Sequence, residues 1–293
     1  MLDINNLYNE TDYLVQNPDV ARAVSQGFFR TGAEHFYSVG RLEGRNPSGF
    51  FDESYYLQQN PDIAQAVQSG FFRRGLDHFL QFGQNEPRSP SVFFNPEFYL
   101  GFYPDIEAVV ASGEASPLEH FIEAGQFENR DPIVEFYTDE YLQANPDIAQ
   151  VVATSAGTTN PLTPIRHFIN FGQYENRYFG PDFDANYYLQ QNPDVAAVVR
   201  PGVFSAAKHF LQSGKQEGRA GVPFSGIDLN MARDLGTIGN ANVSDFVGNA
   251  NLKDIYRFNI AAPSNFSALL NGLAADADLS LFQDTNGNNQ IDF

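Results

Sequence analysis

No cysteine and no tryptophan occur among the 293 residues, and there are two methionines and five histidines. The missing cysteines exclude disulfides, a thiol nucleophile and any thiolate metal site. Basic residues are also scarce. Against 36 acidic side chains stand 17 Lys and Arg, for a net charge of −19. A nucleic-acid partner needs a basic stripe, which this sequence lacks, and anionic membrane surfaces are disfavoured for the same reason. No apolar run approaches the length of a transmembrane helix. The segment from Met1 to Val15 has neither a basic start nor an apolar core, so an export signal would have to lie outside this span. The usual marks of catalysis are missing too: no G-x-S-x-G, no H-E-x-x-H, no phosphate loop and no G-x-G-x-x-G. Paired carboxylates such as Asp52-Glu53 and Asp139-Glu140 fall at helix starts, where the helix dipole favours negative charge.

What is present is a repeat. His35, His78, His120, His167 and His209 are each followed by Gly at the fifth position, Glu at the eighth and Arg at the tenth, giving Arg45, Arg88, Arg130, Arg177 and Arg219. Aligned on Pro18, Pro61, Pro104, Pro146 and Pro193, the units step by 43, 43, 42 and 47 residues. The extra length falls in the polar stretch 154–161. The boundaries drawn from this register are 1–48, 49–91, 92–134, 135–181 and 182–224, with a different segment over 225–293.

Each unit reads as three short helices. In the second unit Asp52 is expected to cap the first helix, and Asn60 the second, which has Pro61 at its first position. Gly70 stops the second helix, as Gly27, Gly113 and Gly202 do in their units. The third helix ends at Gly83. Ser116-Pro117 and Thr163-Pro164 spell the start of the same helix in other units. Unit three has Tyr103 where the others have Asn, which on this reading removes a cap worth about 1 kcal/mol. Helices this short need neighbours, so the expected architecture is an α-solenoid-like, quasi-linear array of five three-helix repeats.

The histidines have two readings. One is metal or proton chemistry. The other is a half-buried ring that bonds a nearby carbonyl or carboxylate while its edge packs against the Phe that always follows. The second carries more weight, because no unit contains a second His and zinc needs three or four protein ligands. The Glu and Arg are expected to clamp each unit to the next, against the alternative of binding an external anion. Tyr13, Tyr55, Tyr99, Tyr141 and Tyr187 are expected in the helical core, the other reading being a carbohydrate-stacking face.

From Ser225 the pattern turns β-like, with runs at 243–247, 255–260, 266–270 and 279–282; Ile255, Arg257 and Asn259 alternate with Tyr256, Phe258 and Ile260. The strings SDFVGNANLKDIYRFNI and SNFSALLNGLAADADLSLFQDTNGN resemble the bacterial pre-peptidase C-terminal domain, over about residues 228–293. That resemblance implies an antiparallel β-sandwich of the kind appended to exported proteins. Family members continue into a Gly-Thr-Tyr closing strand that does not follow here, so the expectation is a partial domain, either truncated or completed by another chain at its open sheet edge. The repeat strings D-x-x-Y-Y-L-x-x-N-P-D-V and H-F-x-x-x-G-x-x-E-G-R resemble helical repeats of large cyanobacterial and other bacterial surface or exported proteins.

Near the end, Asp284, Asn286, Asn288 and Asp292 place oxygen ligands at alternate positions, a calcium-like spacing. Asp276 and Asp278 are further donors, and the alternative is an ordinary Asn/Gly turn. The expected role is therefore a non-catalytic extracellular or cell-surface module, acting as spacer, adhesin or assembly scaffold, with protein, polysaccharide or self-association partners and calcium as the candidate ion. The alternative is the accessory region of an exported enzyme, for instance a peptidase.

Overall fold

The computed structural model describes residues 1–158, 160–222, 233–237 and 256–259. The chain divides into two compact units, Met1–Val222 and Pro223–Phe293. The first unit is helical throughout.

A short N-terminal turn, Ile4–Leu7, precedes five three-helix repeats. The first helices are Glu10–Gln16, Glu53–Gln59, Pro96–Phe102, Thr138–Ala144 and Ala185–Gln191. The second are Pro18–Ser25, Pro61–Gln68, Pro104–Ala111, Pro146–Ser155 and Pro193–Val198. The third begin at Gly32, Gly75, Pro117, Pro164 and Ala206. Asp52 caps its helix as expected, its carboxylate accepting from the amides of Ser54 and Tyr55. Ser116 forms a reciprocal capping box with Glu119, and Thr163 accepts from the amide of Arg166. The second helices of the first three units stop at Gly27, Gly70 and Gly113, whose left-handed φ angles of 77–81° suit glycine. In units two and three the third α-helix stops at Gln81 and Glu123, just before its glycine. In units one, four and five it widens into a π turn that runs to the glycine, over Phe36–Gly40, Phe168–Gly172 and Phe210–Gly214, and only in unit one does helix continue beyond it.

One backbone bond recurs in all five units. The amide before the first helix donates to a carbonyl at the unit's far end: Asn9 to Pro47, Asp52 to Pro90, Asn95 to Pro132, Tyr137 to Phe179 and Asp184 to Gly221. Every unit is thus closed on itself before it is stacked.

The stacking departs from a quasi-linear array. Neighbouring units do meet, through Phe50 on Phe121 and Phe93 on Phe168 at ring separations of 5.6 and 6.2 Å, and through Thr163 to Gln126 and Ser205 to Gln173. Units three apart also touch. Arg166 of unit four bonds Asp12 of unit one at 3.0 Å, with both side chains buried, and Asn170 donates to the same carboxylate at 2.7 Å. Lys208 of unit five meets Asp52 of unit two at 2.7 Å. The array therefore winds back, laying the fourth unit on the first and the fifth on the second. The residue just before the repeat histidine follows this winding: it is Glu34, Asp77 and Glu119 in units one to three, but Arg166 and Lys208 in the two units that lie over an earlier turn. Helical periodicity identifies an inward stripe but says nothing about how tightly successive units turn.

The fold class expected for the second unit is also corrected. The protein is mostly helical, and no β-sandwich is seen among the described residues. Among its described residues the only sheet is one parallel pair, Arg233–Thr237 with Tyr256–Asn259, in the register Arg233↔Tyr256 and Thr237↔Asn259. The alternation at 255–260 does mark a strand, but period-two patterning carries no information about the direction of the neighbouring strand.

Candidate functional site

Each repeat histidine lies in the same pocket of its own unit. His35, His78, His120, His167 and His209 place Nδ1 2.7–2.9 Å from the hydroxyl of Tyr13, Tyr56, Tyr99, Tyr141 and Tyr188. These tyrosines are fully buried on the first helix. The partner is thus a phenol, not the carbonyl or carboxylate expected. In units two and five the equivalent tyrosine is the second of the pair, Tyr56 and Tyr188, instead of Tyr55 and Tyr187. All five bonded tyrosines belong to the core, which removes Tyr13, Tyr99 and Tyr141 from any carbohydrate-stacking face, while Tyr55 and Tyr187 are half-buried. Burial raises the pKa of each of these tyrosines, so each hydroxyl keeps its proton and shares a hydrogen bond with the ring nitrogen. Burial also lowers the pKa of His78, His120, His167 and His209.

The glycine five residues after each histidine follows from the same contact. A Cβ at Gly40, Gly83, Gly125, Gly172 or Gly214 would collide with the tyrosine hydroxyl. The repeated His, Gly and Tyr are therefore one device, a phenol passing under the third helix to reach an imidazole.

The repeated arginine closes the unit from the other side. Arg88 binds Asp62 through two nitrogens, at 3.0 and 2.9 Å, Asn60 Oδ1 at 2.6 Å and Glu86 at 2.6 Å. Arg45, Arg177 and Arg219 repeat the set with Asp19, Asp147 and Asp194. All of these partners lie in the arginine's own unit, so the clamp ties the third helix to the start of the second and does not join one unit to the next. The fork geometry suits a planar guanidinium, which holds the aspartates below their usual pKa through direct hydrogen bonds.

The Asn of the Asn-Pro pair is not the cap expected. Asn60 turns back to donate to the Tyr56 carbonyl at 2.7 Å and offers Oδ1 to Arg88. Tyr103 replaces this in unit three without loss of a cap. Arg130 lies 4.8 Å from its ring centre, and its hydroxyl accepts from the Asp131 amide.

The structure thus gives every repeat mark a place inside its own unit and does not gather the five histidines. Among the described residues no group of His, Asp and Glu is arranged to hold a metal ion, and no helix is long and apolar enough to cross a membrane. The candidate calcium ligands Asp284, Asn286, Asn288 and Asp292, with Asp276 and Asp278, lie outside the described residues, as do the runs at 243–247, 266–270 and 279–282.

A different feature remains, one that the spacing of the repeat did not point to. Where units one and two meet, Arg41, Phe71, Arg73, Asp77 and Leu80 line a surface cleft of about 490 Å³. Asp77 holds Arg41 at 2.5 Å and Arg73 at 3.6 Å. Phe71, set after the left-handed Gly70, is 78% exposed. The local signal was in the sequence: units one and two share Gly-Phe-Phe-Arg at 27–30 and 70–73, and the other units do not. Phe28 and Arg30 are likewise exposed. Comparison with family models, with curated proteins and with solved structures returned no match.

Proposed function

We propose that residues 1–222 form a non-catalytic scaffold of the cell surface or extracellular space, which displays its interhelical loops to a binding partner. The observation that carries this reading is that the chemistry-bearing residues of the repeat are spent on structure. Each imidazole is held by a buried phenol and each repeat arginine by carboxylates of its own unit, five times over, which suits a framework and leaves these groups unavailable to a substrate. Because the fourth unit returns to the first, the array gains little length per unit, and adhesion or assembly suits it better than spacing. The likeness of the repeats to those of exported bacterial proteins supports the location.

The test presents surface polysaccharides and proteins to the immobilised full-length chain. Retention that is equal for the wild type and for His78→Asn, with the retained material chemically unchanged, is expected. Chemical conversion of the retained material would refute the scaffold reading, as would loss of retention in His78→Asn at unaltered thermal stability.

A further inference from the structure

Phe71 and Phe28 are the most exposed of the large apolar side chains among the described residues, at 78% and 75%. Phe71 meets the rest of its unit through an edge-on contact with Phe72 at 4.9 Å. The half-buried ring of the pair is the second one, with Phe29 and Phe72 set edge-on to His35 and His78 at 4.8 and 5.1 Å. The repeat tolerates Glu114, Thr158 and Val203 at the position of the exposed ring. An exposed aromatic kept twice, each time two residues before an arginine, is the composition of a binding hot spot.

The arginines here also differ from those of the clamps. Arg73 is 75% exposed and Arg30 93%, each with a single carboxylate beyond 3.5 Å. At the junction Asp77 sits between Arg41 and Arg73 and holds the two guanidinium groups side by side. A guanidinium has five N–H donors, so most of those on Arg73 remain free to meet a further anion beside the Phe71 ring.

Resting on the scaffold reading, we infer that this cleft, where two guanidinium groups outnumber one carboxylate and give a local positive charge on an otherwise acidic chain, binds an acidic polysaccharide, a polymer of uronate-type sugars. The flat C–H face of a sugar packs on Phe71 while its carboxylate takes the fork of Arg73 and Arg41. One feature favours a carbohydrate polymer. The Gly-Phe-Phe-Arg loop occurs in two successive units, and a duplicated subsite fits a ligand whose charge and apolar face also repeat.

The experiment measures binding of the full-length protein to immobilised polygalacturonate by interferometry, with fully methyl-esterified polygalacturonate and polyglutamate as comparisons. Wild-type protein is expected to bind polygalacturonate and not its methyl ester. Phe71→Ala and Arg73→Ala should each weaken binding about tenfold with unchanged melting temperature, since both side chains are exposed, and Phe28→Ala should weaken it on long chains only. No binding by the wild type, equal binding by the variants, or equal capture of the ester would overturn the inference. Tighter binding of polyglutamate would also overturn it, by assigning the cleft to acidic peptides. Cleavage of the bound polygalacturonate would instead sink the scaffold reading while leaving the site in place.

Discussion

Replacing Asp12 by alanine tests whether the fourth unit rests on the first. The Asp12 carboxylate is 2% exposed and accepts from Arg166 Nε at 3.3 Å, Arg166 Nη2 at 3.0 Å and Asn170 Nδ2 at 2.7 Å. Without it the Arg166 guanidinium, itself 7% exposed, keeps Asn160 and the Pro161 carbonyl through Nη1 but has no counter-charge. Removing one partner of a buried ion pair costs about 3–5 kcal/mol, because the other charge is left desolvated. The two surviving hydrogen bonds place Asp12→Ala near the lower end, at about 3 kcal/mol. The pair itself is not a large net gain, so Asp12→Leu combined with Arg166→Met should recover most of the loss. Urea unfolding followed by helical circular dichroism gives both numbers. In a linear array Asp12 would be a surface residue, and its replacement would stay within about 0.5 kcal/mol of wild type. A loss that small would refute the winding.

Gly83→Ala drives a methyl group into the Tyr56 hydroxyl and should cost about 2–3 kcal/mol by overpacking. Tyr56→Phe alone should cost about 1 kcal/mol for the lost hydrogen bond, and the double variant less than the sum of the two. Additive losses in urea titrations would show that the glycine serves another purpose. Stability should also depend on pH near neutrality. His78, His120, His167 and His209 have folded pKa values lowered from 6.5, chiefly by burial, so the unfolded chain takes up protons first as pH falls. Their contribution is complete above about pH 6.5 and is lost as pH drops through the lowered folded values. The aspartates of the arginine clamps, lowered from 3.8, add a second loss below that value. A melting temperature that is flat between pH 7.5 and 5 would contradict the neutral imidazoles.

The repeat, its boundaries and the helix stops at Gly27, Gly70 and Gly113 were legible because they depend on local chemistry, a left-handed turn or a Ser-Pro start. The pairing of histidine with tyrosine was half legible. Both residues recur, but the double tyrosines at 55–56 and 187–188 hid which one is equivalent, and only the buried geometry selects the second. The arginine was expected to clamp its unit to the next and was so assigned to the wrong partner, because spacing along the chain does not distinguish an aspartate about 26 residues back from a group in the next unit. Winding was not legible, since it depends on the long-range match of Asp12 with Arg166. The one written sign of it was the change from acid to base before the histidine.

That change has a consequence for how such a protein can evolve. Tandem repeats ordinarily lengthen by copying a unit, which a stack of interchangeable parts accepts. Here, copying the second unit in place would move Glu119 over Asp12, setting two acids face to face where an ion pair now lies buried. The order of the units is part of the fold, and charge guards it against a copy inserted among them.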